Sequence, residues 1–233
     1  MNELLQIFHK AGHTNLPTDT RALLNTPRFT KITPCGTGEY FNYGLQKSLE
    51  EILHDNTLGQ DIEINVGVDG VPINKTGTVY LWPIIGKVTK NGSLTPFLIG
   101  SYHGDDSHPH VEFLEQFIKE YKNLNEKGFY YNGLLYKVKI KCVICDTPGR
   151  CLVLAIKGYN GFYGCKLCDI KGSWAGKVVF LSEDGELRTD FSFRSREQPE
   201  HHNGDSPFEC LDINMVEQFP LDYMHLVRSN LFK

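Results

Sequence analysis

The chain has 233 residues, of which 40% are hydrophobic and 12% aromatic, enough to bury the core of one large domain or two small ones. Its net charge of -4 and its pI of about 6.1 exclude a global positive field that would attract nucleic acid, and the composition excludes a disordered chain. The sequence has no signal-peptide pattern at Met1 and no apolar run of about 18 residues, so we expect neither secretion nor membrane insertion. The seven cysteines are then expected to be free thiols or metal ligands rather than disulfides.

Residues 1–56 are predicted to form an N-terminal arm of helices and loops. Apolar periodicity indicates a short helix over residues 2–10 and another over residues 43–54, and prolines and glycines break the chain between them. We find no recognisable chemistry in this arm.

The stretch from residue 61 to residue 69 is predicted to be a strand with one buried face. Its apolar residues occupy the even positions and its polar residues the odd ones, which is the period of a half-buried strand. The strand ends in Asp69-Gly70, a pair typical of a turn. Asp69 therefore lies at the end of a strand, on its polar face.

The elements that follow are predicted to be two more strands, a helix, a strand and a second helix or long turn. Their ranges are 78–88, 94–102, 109–127, 138–146 and 151–157, with a hairpin turn at Lys90-Asn91-Gly92 and a helix stop at Gly128. Three strands joined by short turns form an antiparallel meander, and a helical crossover can place the fourth strand parallel to the first.

The fourth strand, like the first, ends in an aspartate before the chain breaks, here Asp146 followed by Pro148 and Gly149. Aspartate is common at strand ends for structural reasons alone. If the two strands are neighbours, however, Asp69 and Asp146 converge on one metal site. This layout resembles the ribonuclease-H-like fold, an α/β mixed sheet whose nucleases and transposases hold divalent metals with acids from these two strands.

The two Cys-x-x-Cys pairs lead to different predictions. Cys142 and Cys145 lie in a strand, where residues three apart face opposite sides and cannot share a metal. Cys165 and Cys168 lie in a glycine-punctuated turn, where both sulfurs can face one zinc ion. The further donors available downstream are His201, His202, Cys210 and His225. Spacing alone leaves zinc and free thiols both open.

Six short motifs, in order, resemble the transposase of CACTA-type (En/Spm-like) DNA transposons in its animal form. They cover roughly residues 57–227. The motifs are Val68-Asp69-Gly70-Val71-Pro72, Leu81-Trp82-Pro83-Ile84, Ile144-Cys145-Asp146-Thr147-Pro148-Gly149-Arg150, Gly164-Cys165-Lys166-Leu167-Cys168, Leu187-Arg188-Thr189-Asp190 and Phe219-Pro220-Leu221-Asp222-Tyr223-Met224-His225.

The resemblance implies a ribonuclease-H-like core in residues 57–160 and a Cys/His-containing insertion, with the start of a C-terminal region, in residues 161–233. It implies that Asp69 and Asp146 are the first two acids of a catalytic triad that binds Mg²⁺ or Mn²⁺ and cuts and joins DNA. It makes Cys165, Cys168, His202 (or His201) and His225 candidate ligands of a structural Zn²⁺. It also implies that DNA is a partner and that the protein is nuclear. Apart from the resemblance, we expect a cytoplasmic protein.

The third acid of such transposases, usually a Glu, follows the last of these motifs, and no residue here matches its position. We therefore expect a C-terminally incomplete, truncated or domesticated copy that is inactive in strand transfer alone. One alternative is a non-catalytic module that binds DNA, a protein partner or another copy, through basic residues at 137–141 and 188–196 that otherwise form a solvated face. Another is a nuclease completed by a nearby carboxylate such as Glu63 or Asp222.

Overall fold

The computed structural model describes residues 1–26, 29–89, 95–105, 109–181, 184–220 and 222. The chain divides into two units, Met1–Ile32 and Thr33–Lys233. The first unit contains helices α1 (Asn2–Lys10) and α2 (Thr20–Leu23). Asp19 begins α2 by accepting the N–H of Arg21 at 2.8 Å, and the side chain of Asn2 accepts the N–H of Thr20 at 2.9 Å.

A mixed sheet forms the centre of the second unit. Its strands are β1 (Ile32–Cys35), β2 (Gly38–Asn42), β3 (Asp61–Val68), β4 (Val71–Pro72), β5 (Tyr80–Val88), β6 (Phe97–Gly104), β7 (Phe129–Tyr131) and β8 (Leu134–Ile144). Their order is β1-β2-β6-β5-β3-β8-β7, with β4 beside β5. Strands β3, β5 and β6 pair antiparallel, and β8 pairs parallel to β3. The predicted α/β class, the meander and the parallel fourth strand are thus confirmed. The predicted turn at residues 90–92 lies outside the described residues.

Helices and an ordered C-terminal segment cover the apolar face of this sheet. The helices are α3 (Leu45–Asp55), α4 (Glu115–Glu126), α5 (Thr147–Leu154) and α6 (Asp190–Arg194), with 3-10 turns at Val111–Leu114, Pro199–His201 and Pro207–Cys210. Helix α4 buries Phe117, and the Phe117 ring packs against Phe208 of the C-terminal segment at 6.3 Å between centroids. No helix within the described ranges has the length and apolarity needed to cross a membrane.

Strands β1 and β2 were not part of the sequence prediction for the N-terminal arm. They are short and punctuated by Pro34 and Gly36, so local periodicity is too weak to reveal them. Strand β2 forms because it pairs with β6, where Tyr40 lies opposite Tyr102 and both rings are buried. A separate hairpin of β9 (Ser173–Trp174) and β10 (Val178–Val179) lies in the predicted insertion.

Candidate metal site

The two aspartates singled out from the sequence follow neighbouring parallel strands. Gly67 of β3 pairs with Ile144 of β8, and Asp69 and Asp146 each lie two residues further along their strands. Both aspartates are half-buried. The expectation that the two strands lie side by side is therefore confirmed, and both carboxylates lie at the same edge of the sheet.

A β-bulge in β8 places Asp146 on the same face as Asp69. Ile64 pairs with Ile140, but Asn65 pairs with Cys142, so Lys141 is an extra residue in β8. Before this bulge the even positions of β8 are buried, and after it the odd positions, including Cys145, are buried. Without the bulge, strict alternation would have turned Asp146 toward the core and away from Asp69.

The C-terminal segment, residues 207–220, holds this bulge in place through Gln218. The side-chain amide of Gln218 donates to the carbonyl oxygen of Ile140 at 2.7 Å. The carbonyl oxygen of Gln218 accepts the N–H of Val143, also at 2.7 Å. Strand β7 pairs with β8 only over residues 134–136, so Gln218 takes the place of a strand partner for backbone groups on both sides of the bulge.

Asp146 also has a structural role as the N-cap of α5. Its Oδ1 atom accepts the N–H of Gly149 at 2.6 Å. A Cβ atom on Gly149 would lie 2.8 Å from that oxygen and 3.3 Å from the carbonyl oxygen of Val68, so only glycine allows this close approach. The cap fixes the orientation of the carboxylate and leaves its second oxygen available to a ligand.

The strand end at Asp69 is shaped by a close contact between backbone and indole. A Cβ atom on Gly70 would lie 2.5 Å from Cζ2 of Trp82, and the Trp82 side chain is buried. The chain can therefore turn after Asp69 only because residue 70 lacks a side chain.

The residue before Asp146 is a buried cysteine, Cys145. Burial, with smaller contributions from the negative charges of Asp146 and Asp69, raises the pKa of Cys145 to about 12. The thiol itself stays protonated and is a poor metal ligand.

Two cationic side chains near Asp146 were not singled out from the sequence. Arg150 is only 5% exposed, and its Nε and Nη1 atoms have no hydrogen-bond partner in the described part of the chain. Lys166 lies inside the Cys165–Cys168 turn and donates from Nζ to the carbonyl oxygen of Thr147 at 3.2 Å. Both lie within motifs quoted above, but only the fold brings those motifs together.

The Cys165–Cys168 turn supplies two of the four donors that a zinc site needs. The two sulfurs are 3.3 Å apart. The ring of His202 instead packs against Phe193, 4.7 Å between centroids, and His225 lies outside the described residues. No group of three or more His, Cys, Asp or Glu side chains placed to hold a metal ion occurs in the described ranges, so His202 does not join the cysteines there. The zinc site stays a prediction, and we derive no step through it.

His201, which is buried, and His202, which is half-buried, are both uncharged at neutral pH. Burial lowers the pKa of each to about 4. The Nδ1 atom of His201 donates to the carbonyl oxygen of Tyr163 at 2.6 Å, which anchors the end of the insertion. Neither ring nitrogen of His202 has a hydrogen-bond partner in the described part of the chain.

The three arginines at positions 188, 194 and 196 donate hydrogen bonds to other groups of the chain. Their acceptors are the carbonyl oxygens of Cys165, Phe193, Glu209, Leu211 and Ile213, the side-chain oxygen of Gln198 and the carboxylates of Asp190, Asp205 and Glu209. These contacts order the C-terminal segment, so these arginines are not a solvated basic patch.

The lysines of β8 do face solvent, but acidic residues of β3 lie beside them. Lys137 is in register with Asp61, and Lys139 with Glu63, on the exposed face of the sheet. Residues paired in this way are lateral neighbours, so their charges partly cancel.

The carboxylates at the sheet edge are the donors that Mg²⁺ and Mn²⁺ prefer, so they fit a divalent ion. Glu63 lies six residues before Asp69 on β3, about 20 Å away at roughly 3.3 Å per residue, so it cannot complete this site. Asp222 is described, but residues 221 and 223–233 around it are not. A comparison with protein-family models and with curated protein sequences finds no match for this chain.

Proposed function

We propose that this chain contains part of a ribonuclease-H-like DNA transposase core of the CACTA type, which uses divalent metal to cleave and join DNA phosphodiesters. The observation that carries the proposal is the parallel pairing of β3 and β8, with Asp69 and Asp146 following in matched register on one face. The sheet order β6-β5-β3-β8 and the crossover through α4 support it further. The six ordered sequence motifs supply the transposase part of the proposal.

In this proposal the chain's own residues bind the metal ions and fix the orientation of the carboxylates. Asp69 and Asp146 hold the metal ions, and the Gly149 N–H fixes the Asp146 carboxylate in one orientation. When bound, the ions activate the attacking water or 3′ hydroxyl and stabilise the leaving oxygen. A complete site requires a third acid, for which we have identified no residue, and we therefore propose that the 233-residue chain is inactive in strand transfer.

The alternative of a non-catalytic binding module receives less support. It depends on free basic clusters, whereas the arginines at 188, 194 and 196 bind acceptors within the fold. Lys137 and Lys139 lie beside acidic residues.

The test is whether a divalent ion couples the two aspartates to DNA. Binding of a fluorescein-labelled duplex is measured by anisotropy with EDTA and then with Ca²⁺, which supports binding without promoting cleavage. We expect Ca²⁺ to tighten binding by the wild-type chain but not by Asp69→Asn or Asp146→Asn. Asp61→Asn, at the far end of β3, is the matched control and should respond like the wild type.

A Ca²⁺ effect that survives both substitutions would refute the proposed site. A parallel incubation of labelled duplex with Mn²⁺ tests the expected inactivity. Cleavage that disappears in Asp69→Asn would keep the function and show that an acid of this chain completes the site, with Asp222 the first to mutate.

A further inference from the structure

Arg150 and Lys166 form a pair of desolvated cations beside Asp146. Arg150 lies three residues beyond Thr147 on α5, and Lys166 donates to the carbonyl oxygen of Thr147, so both cations flank one turn of the helix. Burial lowers the pKa of Lys166 and the positive charge of Arg150 lowers it further, while Cys151 and Asp146 oppose this shift. Arg150 is nine-tenths buried or more, and Lys166 is half-buried.

These two cations are not neutralised within the described part of the chain. Neither takes part in an ion pair there. The Nε and Nη1 donors of Arg150 are buried without an acceptor. Lys166 donates to the carbonyl oxygen of Thr147 and contacts the Cys151 thiol, so its partners are neutral groups and none is a carboxylate. A buried cation with unpaired donors is costly, and a second cation nearby adds repulsion. An anion bound between them would remove both costs.

We propose that Arg150 and Lys166 form a binding site for a phosphoryl oxyanion next to Asp146, at the N-terminal end of α5. A guanidinium group donates two parallel hydrogen bonds to phosphate oxygens, and an ammonium group adds a point charge. On the function proposed above the oxyanion is a DNA backbone phosphate, and free inorganic phosphate offers the same chemistry.

This site also assigns a role to the Cys165–Cys168 turn. Backbone contacts hold the turn, since the N–H of Arg188 donates to the carbonyl oxygen of Leu167 at 2.9 Å and Cys168 forms a bridge with Leu187. Lys166 is thereby presented to α5 from a part of the chain distant in sequence. The turn acts as a positioning element for a phosphate-binding lysine, whether or not its sulfurs bind a metal.

The first arm of the test measures DNA affinity in EDTA, so that it does not depend on metal binding or cleavage. Arg150→Met and Lys166→Met should each weaken duplex binding about tenfold, the size expected for one charged hydrogen-bond contact. Each should also reduce the slope of log affinity against log salt by about 0.9. Lys177→Met removes the same charge from an exposed position of the same insertion and should change affinity less than twofold.

The second arm measures thermal unfolding in potassium phosphate and in potassium chloride at equal ionic strength. Phosphate should raise the Tm of the wild-type chain but not of Arg150→Met. In chloride Arg150→Met should melt about 2–4 °C higher than the wild type, because methionine removes an unpaired buried charge without leaving a cavity.

The outcomes separate the sources of the ligand and the two proposals. Loss of DNA affinity in both variants identifies a DNA phosphate, and a phosphate effect on Tm alone identifies free phosphate. The site is refuted if neither arm responds, if Lys177→Met matches Lys166→Met, or if Arg150→Met lowers Tm in both salts. If the phosphate-binding tests succeed but Asp69→Asn still shows tighter DNA binding in Ca²⁺, the proposed metal site is refuted and the phosphate site is supported.

Discussion

Asp146 has a capping role and a proposed metal-binding role, and substitutions can separate them. Replacing Asp146 by Ala removes the 2.6 Å hydrogen bond to the Gly149 N–H. Loss of such a cap costs about 1 kcal/mol and up to about 2. In a chain of this size each kcal/mol lowers Tm by roughly 2–4 °C. Asn caps helices about as well as Asp, so Asp146→Asn should keep Tm within about 2 °C of the wild type.

The assay compares thermal unfolding and Mn²⁺ binding in the wild type, Asp146→Ala and Asp146→Asn. We expect only the Ala variant to lose stability and both variants to lose Mn²⁺ affinity, since an amide supplies neither the charge nor the second carboxylate oxygen. Asp69→Asn serves as a matched control in which metal affinity falls without loss of a cap. If Asp146→Asn binds Mn²⁺ as tightly as the wild type, Asp146 is only a helix cap and does not bind the metal ion.

Three further predictions concern the surroundings of the site. Gly70→Ala should cost about 1–3 kcal/mol on denaturant unfolding and weaken Mn²⁺ binding, because the new Cβ meets the buried Trp82 ring; unchanged stability would contradict the close contact. Cys145, whose pKa burial raises to about 12, should resist alkylation at pH 8 until denaturant is added, whereas the exposed Cys210 reacts at once. Because burial lowers the pKa of His201 to about 4 from 6.5, its stability contribution is complete above pH 6.5 and falls by about 3 kcal/mol toward pH 4. His201→Asn keeps a hydrogen-bond donor but cannot titrate in this range, so its stability should fall less between pH 6.5 and pH 4. An unchanged fall in stability would show that another group is responsible.

The central strands could be predicted from sequence because their burial is one-sided. Alternation from residue 61 to residue 68 matches the buried and exposed faces of β3, and the strand ends beside Asp69 as predicted. Helix α4 was likewise predictable from its apolar stripe, which buries Phe117, Ile118, Tyr121 and Leu124. Local periodicity sufficed in both cases, because each element packs a single continuous face.

The parts that periodicity missed depend on contacts distant in sequence. The bulge at Lys141 is detectable in principle, because the buried positions change from Val138 and Ile140 to Val143 and Cys145, but its repair by Gln218 is not. The meeting of Lys166 with Thr147 is also a product of the fold, because the Cys165–Cys168 turn gives no sequence signal of where its lysine points. The predicted zinc site stays untested: the described residues contain no group of three or more metal donors, and the His202 ring packs against Phe193, a contact that local sequence does not reveal.

The most direct test of the proposed metal site is a Mn²⁺ titration of the full chain, in which unbound Mn²⁺ is measured by its electron paramagnetic resonance signal. We expect binding by the wild type and by Asp61→Asn, whose substitution lies about 26 Å from Asp69 at roughly 3.3 Å per residue. We expect Asp69→Asn and Asp146→Asn each to bind at least about tenfold more weakly, because each removes one of the two carboxylates at the sheet edge. Equal Mn²⁺ affinity in all four proteins, or no binding by the wild type, would contradict the claim that Asp69 and Asp146 form one metal site.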